Sequence, residues 1–382
     1  MGLLSLDWEP HARRLADEVT RPESRWHQPL ATTPRHLFVP RWWESTDTGW
    51  TLRAGSADRE AWLRTAHSNQ TLVTRVAALH ADHAPPDAVA TEGLPTSSST
   101  LPGLVVTMYR HAMISDDSSV LVTTGTGYGT ALLCRRLASD QLVTSVDVDP
   151  YLVDAATERL GEAGLHPRLL VCDITGALPG QYDRIVSTVS VRPVPVSWLA
   201  SLRPGGRLVT TIAGTGLILT ADKTEDGGAR GRIEPDPAGF MRTRQGDDYD
   251  SPASDVWEKA RDQEGEEVET CRYPLLNPTD SWGVMSMLAL TVPGIDYRYR
   301  EDGDTRTVWL LHPDGSWARA TATEFLGSPT VHQGGPRRLW REMQRIRNWL
   351  NRQGELPLYG ARVTITPDGE TTLSRGAWSA TL

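Results

Sequence analysis

VLVTTGTGYGTALLCRRL, residues 120–137, is the stretch whose reading decides the fold. Val120, Leu121 and Val122 make a short aliphatic run of the kind found in a buried parallel strand. Gly125, Gly127 and Gly129 follow at alternating positions, and Ala131, Leu132, Leu133 and Leu137 then recur at helical spacing. Strand, glycine turn and helix is the layout of a nucleotide-binding first βα unit. The glycines let the backbone turn tightly near a ligand, and the helix N-terminus offers free N–H groups. Taken alone the turn is a weak signal, because glycine turns also serve as plain connections.

The flanking residues strengthen it. Residues 142–146 read as a second strand ending in Asp147, 22 residues after Gly125. A carboxylate at that tip can accept hydrogen bonds from ribose hydroxyls. Asp149 reads as the cap of a helix opening at Pro150, with Leu152, Ala155, Ala156 and Leu160 on one face. A third strand over 168–172 ends in Asp173, a fourth covers 182–187, and RPGGRLVTTI at 203–212 is a late strand. The series predicts an α/β fold with a doubly wound, Rossmann-like sheet and a ligand at the C-terminal strand ends. The spacing of Gly125, Gly127 and Gly129 departs from the GxGxxG of dinucleotide binders. Glycines after strand one and acids after strands two and three suit an S-adenosylmethionine (SAM) methyltransferase better.

At 382 residues the chain can bury one full core and is long enough for two domains. A hydrophobic content of 39% is ordinary for a soluble protein, and no run approaches the length needed to span a bilayer. With no signal-peptide pattern at the N-terminus, the expected location is the cytoplasm. Cys134, Cys172 and Cys271 are too few and scattered for a disulfide framework or a zinc site, so no metal is expected. A net charge of −9 argues against nucleic acid as the partner, because phosphates need the opposite sign. The oligomeric state is left open.

Residues 1–20, with Leu3, Leu4, Leu6, Trp8, Leu15 and Val19 among charges, predict an amphipathic helix, and a second amphipathic segment covers about 58–81. Thr96-Ser97-Ser98-Ser99-Thr100-Leu101-Pro102 reads either as a solvated loop capping the next helix or as donors aimed at an anion. Residues 238–242 form a small apolar island ending in arginine, and 246–269 are strongly acidic. Farther on, apolar runs flank Pro313-Asp314-Gly315 as in a hairpin, a helix covers 336–353 up to Gly354, and 363–369 is a strand and turn. The predicted organisation is an N-terminal helical and loop region (1–95), a methyltransferase core (96–245), an acidic linker (246–269) and an added α+β C-terminal domain (270–382). Trp309, Trp317 and Trp340 are expected to form a small core or a peptide-binding face in that last domain.

Four blocks in order resemble the protein-L-isoaspartate O-methyltransferase family. Pro34-Arg35-His36-Leu37-Phe38-Val39-Pro40 looks like its N-terminal signature. The hydroxyl cluster ending at Pro102 sits where the family has its active-site loop. Residues 120–133 resemble its SAM loop, and 202–209 its late strand. This chain also departs from the pattern: Thr123 stands where the family carries an acid, and Gly103 where it has histidine. The altered loop and the long C-terminal region are similar to members associated with ribosomally synthesised, modified peptides of the lanthipeptide and graspetide type. Those methylate an ordinary aspartate in a macrocyclic peptide, and the ester collapses to a succinimide (aspartimide) or isoaspartate.

The resemblance implies site roles. Ser99 and Thr100, with Ser98 close behind, would position the substrate carboxylate. Thr124, Gly125, Thr126, Gly127 and Gly129 would wrap the methionine part of SAM, with Tyr128 covering it. Asp147 and Val148 would take the ribose, and Asp173 with Ile174 would border the adenine. A carboxylate, with a pKa near ~4, is already nucleophilic at neutral pH, so no strong base is required. His36 and His67 are read as structural. The partner implied is an aspartate-containing, macrocyclic peptide. Isoaspartyl repair, small-molecule methylation and binding without turnover stay open as alternatives.

Overall fold

In this computed structural model, which describes residues 7–46, 49–244 and 254–382, apolar residues alternate along the central strands and bury both faces of one sheet. Val120, Val122, Val186 and Val209 join one core cluster, while Leu121, Ile185 and Leu208 join the other. Burial on both faces is why these strands read as continuous aliphatic runs.

The chain begins with helices α1 (Glu9–Val19), α2 (His27–Thr32) and α3 (Arg35–Phe38). Leu3, Leu4 and Leu6 of the expected first helix lie outside the described residues. Strands β1 (Arg41–Thr46) and β2 (Gly49–Ala54), helix α4 (Arg59–Ala66), and strands β3 (Leu72–Val76), β4 (Leu79–His80), β5 (Val89–Ala90) and β6 (Pro95–Ser99) follow. These strands form an antiparallel sheet of order β4-β3-β1-β2-β5, with β6 paired to β3. The expected helical and loop region is thus corrected to a mixed one, and its sheet runs across the boundary drawn at residue 95. The amphipathic segment at 58–81 is a helix only in its first half. Asp58 caps α4 through Ala61 N–H, and alternation takes over from Leu72.

Next come α5 (Pro102–His111), β7 (Val120–Thr123), α6 (Tyr128–Arg136), β8 (Val143–Asp147), α7 (Pro150–Glu162), β9 (Arg168–Val171), β10 (Tyr182–Val191), α8 (Val196–Ser201), β11 (Leu202–Ile212), β12 (Leu217–Lys223) and β13 (Ala229–Pro237). The order β9-β8-β7-β10-β11 is parallel throughout, and β12 and β13 continue it antiparallel. The strand order reverses beside β7, so the ends of β7 and β8 open onto a crevice, the usual ligand position of such sheets.

The rest comprises α9 (Ser254–Asp262), β14 (Glu267–Thr270), α10 (Trp282–Thr291), β15 (Asp296–Asp302), β16 (Thr305–Leu311), β17 (Trp317–Ala322), β18 (Thr330–Gly334), α11 (Leu339–Gln353), β19 (Arg362–Ile365), β20 (Thr371–Arg375) and β21 (Trp378–Thr381). The expected acidic linker, whose residues 246–253 lie outside the described ones, is in its second part α9 and β14. Val256 and Ala260 of α9 pack on Trp309, Leu311 and Trp317. All three tail tryptophans expected as core or binding face are interior: Trp309, Trp317 and Trp340 are buried.

Nor is the tail a separate domain. β19 pairs with β13, and β20 and β21 extend the central sheet to ten strands among the described residues. Leu288, Leu310, Trp340 and Leu358 share one core cluster with Leu208, Leu217 and Ile233. Without the tail those central side chains would face water.

Candidate active site

The ends of β7 and β8 open into a cavity of about 220 Å³. One wall is the end of β6, with Thr96, Ser97, Ser98 and Thr100. Thr123, Gly125, Asp147 and Val148 form the floor, with Leu152, Cys172, Asp173 and Ile174 beside them. Residues 239–244 return over the opposite side.

Asp147 is fixed by the backbone. Its Oδ2 accepts the Gly125 N–H at 2.9 Å and its Oδ1 the Asp149 N–H at 3.1 Å. Burial pushes its carboxyl above the usual range, and the two N–H groups, together with Arg244, oppose that rise. Gly125 has φ +51° and Gly127 φ +90°, left-handed values that favour glycine; a Cβ on Gly127 would lie 3.0 Å from Ala156. Asp149 caps α7 by accepting the Tyr151 N–H at 3.0 Å, as its place before Pro150 predicts. Asp173 lines the cavity and also closes the following turn, accepting from Thr175 N and Oγ1 at 2.8 and 2.7 Å.

The hydroxyl run is a strand, not a solvated loop. β6 pairs antiparallel with β3, Ser98 opposite Val73 and Ser99 opposite Leu72. Ser98 and Thr100 line the cavity, whereas Ser99, 2% exposed, does not. Strand alternation directs the Ser99 hydroxyl to Arg35, whose Nε and Nη2 lie 3.4 and 3.3 Å away. Ser99, expected at the substrate carboxylate, thus accepts from Arg35 and stands outside the lining that holds Ser98 and Thr100.

Arg35 is wholly buried and explains why the 34–40 segment matters. It donates to the carbonyls of Ala66 (3.1 Å), Ser68 (2.6 Å), Gln70 (2.9 Å), Ser99 (3.1 Å) and Thr100 (3.2 Å). Its guanidinium also lies over the Tyr128 ring, 5.2 Å from the centroid. One cation thus ties the N-terminal turn of helix to the wall that carries Ser98 and Thr100. Burial pushes its pKa down to about 10.

Several expected cofactor contacts are not among the residues that line the cavity. Thr124 Oγ1 is 2.7 Å from Ser145 Oγ, an interior pairing of β7 with β8. Thr126, Gly127 and Gly129 are not lining residues, and a Cβ on Gly129 would lie 2.8 Å from Tyr109 Oη. Tyr128, expected as a cover, is 2% exposed and meets Phe38 edge-on. Its ring packs inward against Phe38 and the Arg35 guanidinium. Gly125, Asp147, Val148, Asp173 and Ile174 do line the cavity.

Two features were missed from sequence. Thr123 Oγ1 lies 2.6 Å from Thr188 Oγ1 and accepts the Thr188 N–H at 2.9 Å, joining β7 to β10 in the lining. The apolar island also turns back: Ser190 N–H donates to Met241 O and Thr243 N–H to Ser190 O, so Phe240, Met241, Arg242 and Arg244 reach the cavity. A single isolated bridge has no hydropathy signature; the arginine after apolar residues was the only cue.

A second clamp joins the N-terminal sheet to α7. His80 Nε2 is 3.0 Å and Arg75 Nη1 3.6 Å from Asp149 Oδ2, while Tyr151 Oη and Arg159 Nη2 donate to Asp82 at 2.7 and 2.6 Å. The His80 hydrogen bond holds the Asp149 carboxyl below its usual range. Among the described residues, no helix is long and apolar enough to cross a membrane, and no group of three or more His, Cys, Asp or Glu could hold a metal.

Residues 57–234 match the family model for protein-L-isoaspartate(D-aspartate) O-methyltransferase. The match covers β6, the glycine turn and β11 and begins beyond the 34–40 segment. The chain is 34% identical over 117 residues to a protein-L-isoaspartate O-methyltransferase of Methanopyrus kandleri, covering 29% of this chain and 52% of that protein. It is 30% identical over 133 residues to the Pyrococcus horikoshii protein of the same name, covering 33% and 60%. The chain thus spans about half the length of the curated relatives it matches. A solved protein-L-isoaspartate O-methyltransferase superposes over 98% of this chain and 99% of its own, with TM-score 0.50 and 17% identity. At that identity the likeness is one of fold: a Rossmann-like methyltransferase sheet with added sheets.

Proposed function

We propose that this chain is a SAM-dependent carboxyl O-methyltransferase that esterifies an aspartate side chain in a conformationally constrained ribosomal peptide. The observation that carries the reading is the meeting of Ser98 and Thr100 with Gly125 and Asp147 in one cavity.

The donor set fits SAM. Asp147 offers a carboxylate at the strand tip for a ribose diol, and Val148, Leu152 and Ile174 give an apolar slot beside it for a flat base. When bound, SAM supplies an electrophilic methyl group on its sulfonium.

The chain's own residues have modest work to do. The acceptor carboxylate is ionised at neutral pH and needs no base; among the described lining residues there is no histidine. Ser98 and Thr100 hydroxyls can hold one carboxylate oxygen and aim the other, which is catalysis by orientation. Uncharged donors suit this, because a cation against the attacking oxygen would lower its nucleophilicity. In the ester, methanol leaves when the next residue's backbone nitrogen attacks the side-chain carbonyl, closing a succinimide; the amide proton departs with methanol.

Isoaspartyl repair is the second reading, favoured by the family match and by the relatives' names. The constrained-peptide reading rests on the altered site. At Gly103, where the family has histidine, a Cβ would stand 3.0 Å from Asn69, whose Oδ1 accepts the Gly103 N–H. The test is methylation with SAM of a linear isoaspartyl peptide and a lactam-cyclised aspartyl peptide, followed by mass spectrometry. Methylation of the cyclic peptide alone, then loss of methanol, is expected. Turnover of the linear peptide alone would mean repair, and silence on both with SAM bound would mean binding without turnover.

A further inference from the structure

The tail places one large aromatic ring beside the cavity. Trp282, the first residue of α10, is 42% exposed and lies outside both central core clusters. Two glycines make room for it. A Cβ on Gly216 would stand 2.1 Å from Trp282 Cε3, and one on Gly239 3.2 Å from Cζ3. Gly239 lines the cavity, with Phe240 and Met241 following it along the same wall. The helix is held there, because Gly216 N–H donates to the buried Ser286 Oγ at 2.9 Å and Ala238 N–H to Gly216 O at 3.0 Å. Val284, Met287 and Leu288 anchor α10 in the core behind it. A ring kept in register by its helix, with a face open to solvent and apolar lining residues next to it, is built to receive another apolar group.

We propose that Trp282 is a specificity-determining residue: its indole, packed against Gly239 at the edge of the cavity, binds the apolar side chain flanking the acceptor aspartate. This rests on the carboxyl-methyltransferase reading and names its substrate class, a peptide with an aromatic or large aliphatic residue next to the esterified aspartate. It also gives the tail a direct role in recognition through α10.

Two labelled, lactam-cyclised hexapeptides, identical except for phenylalanine or glycine after the single aspartate, serve as probes. Binding is read by fluorescence anisotropy with S-adenosylhomocysteine present, and methylation is read separately with SAM. The protein should bind the phenylalanine peptide about tenfold more tightly than the glycine peptide, an effect of one aromatic contact. In Trp282→Ala the preference should vanish through KM rather than kcat, with glycine-peptide binding within about twofold of the parent. Trp282→Phe, which retains a ring, should keep most of the preference and a parental melting temperature; it carries the test if the alanine variant unfolds. A preference that survives in Trp282→Ala, an equal loss on both peptides, or no preference in the parent would overturn the assignment. Trp282-dependent binding without methylation of either peptide would leave the assignment standing and sink the methyltransferase reading. Methylation indifferent to Trp282 would do the reverse.

Discussion

Replacing Arg35 by methionine removes the cation that anchors the Ser98–Thr100 wall and leaves a side chain of similar length. The carbonyls of Ala66 and Ser99 are buried and lose their donor. Each stranded acceptor costs about 1–3 kcal/mol. Those of Ser68, Gln70 and Thr100 are only part-buried, so water can serve them. The lost guanidinium contact over Tyr128 adds about 1 kcal/mol. Against this, burial lowers Arg35 to about 10. At about 1.4 kcal/mol per pKa unit, the charged form carries a penalty of about 3 kcal/mol that the variant escapes. The stranded acceptors win, leaving Arg35→Met less stable by about 2 kcal/mol, read as a lower urea midpoint at pH 7.5. Methylation kcat should fall at least tenfold at a temperature where the variant is folded, because Thr100 has lost its tether. SAM affinity should change little, since Gly125 and Asp149 hold Asp147 independently. Arg35→Lys should recover part of the stability. An unchanged urea midpoint together with unchanged kcat would refute the anchoring role.

Other perturbations separate the parts of the site. Asp147→Asn should weaken SAM binding about 30- to 100-fold in calorimetry, the value of about 2–3 kcal/mol for hydrogen bonds to a charge; unchanged affinity would remove Asp147 from the ribose role. Ser98→Ala should lower kcat about tenfold with the melting temperature unaltered, and Ser99→Ala should do the opposite, as its hydroxyl faces Arg35. Burial, with His36, Arg35, His11 and Arg14 nearby, holds His67 well below its usual 6.5. A depressed base is neutral when folded and takes up a proton on unfolding, so stability should be level above pH 6.5 and decline below it by up to about 1.4 kcal/mol per pH unit. His67→Phe should flatten that slope in urea titrations at pH 7.5, 6.5 and 5.5. Truncation before β14 should give aggregated protein in size-exclusion chromatography, because it bares Leu217, Leu219 and Ile233 together with the β13 edge.

What could be read from sequence was what local chemistry dictates. Asp147 was legible because a strand, its terminal acid and the following Asp-Pro cap all lie within a few residues. The helix ending at Gly354 was legible because its stop needs a left-handed residue, and Gly354 has φ +77°. Ser99 was not, because a run of hydroxyls has no hydrophobic alternation to say which face is inward; only pairing with β3 decides it. α9 was hidden because Val256 and Ala260 are single apolar residues among charges, and their partners Trp309 and Trp317 lie about 50–60 residues away. The tail strands were recognisable one by one, but their joining the central sheet depends on a partner about 130 residues earlier.

That last pairing has a kinetic side. On the ribosome β13 emerges long before β19, so the growing chain carries an open strand edge and an uncovered aliphatic face until β19 appears. Closing a loop of that length is entropically slow, and contacts of such sequence separation delay folding. The order of synthesis therefore makes β19, β20 and β21 the step that completes the sheet. Until then the nascent protein exposes an aggregation-prone edge, and a chain cut before β19 would leave β13 without its partner.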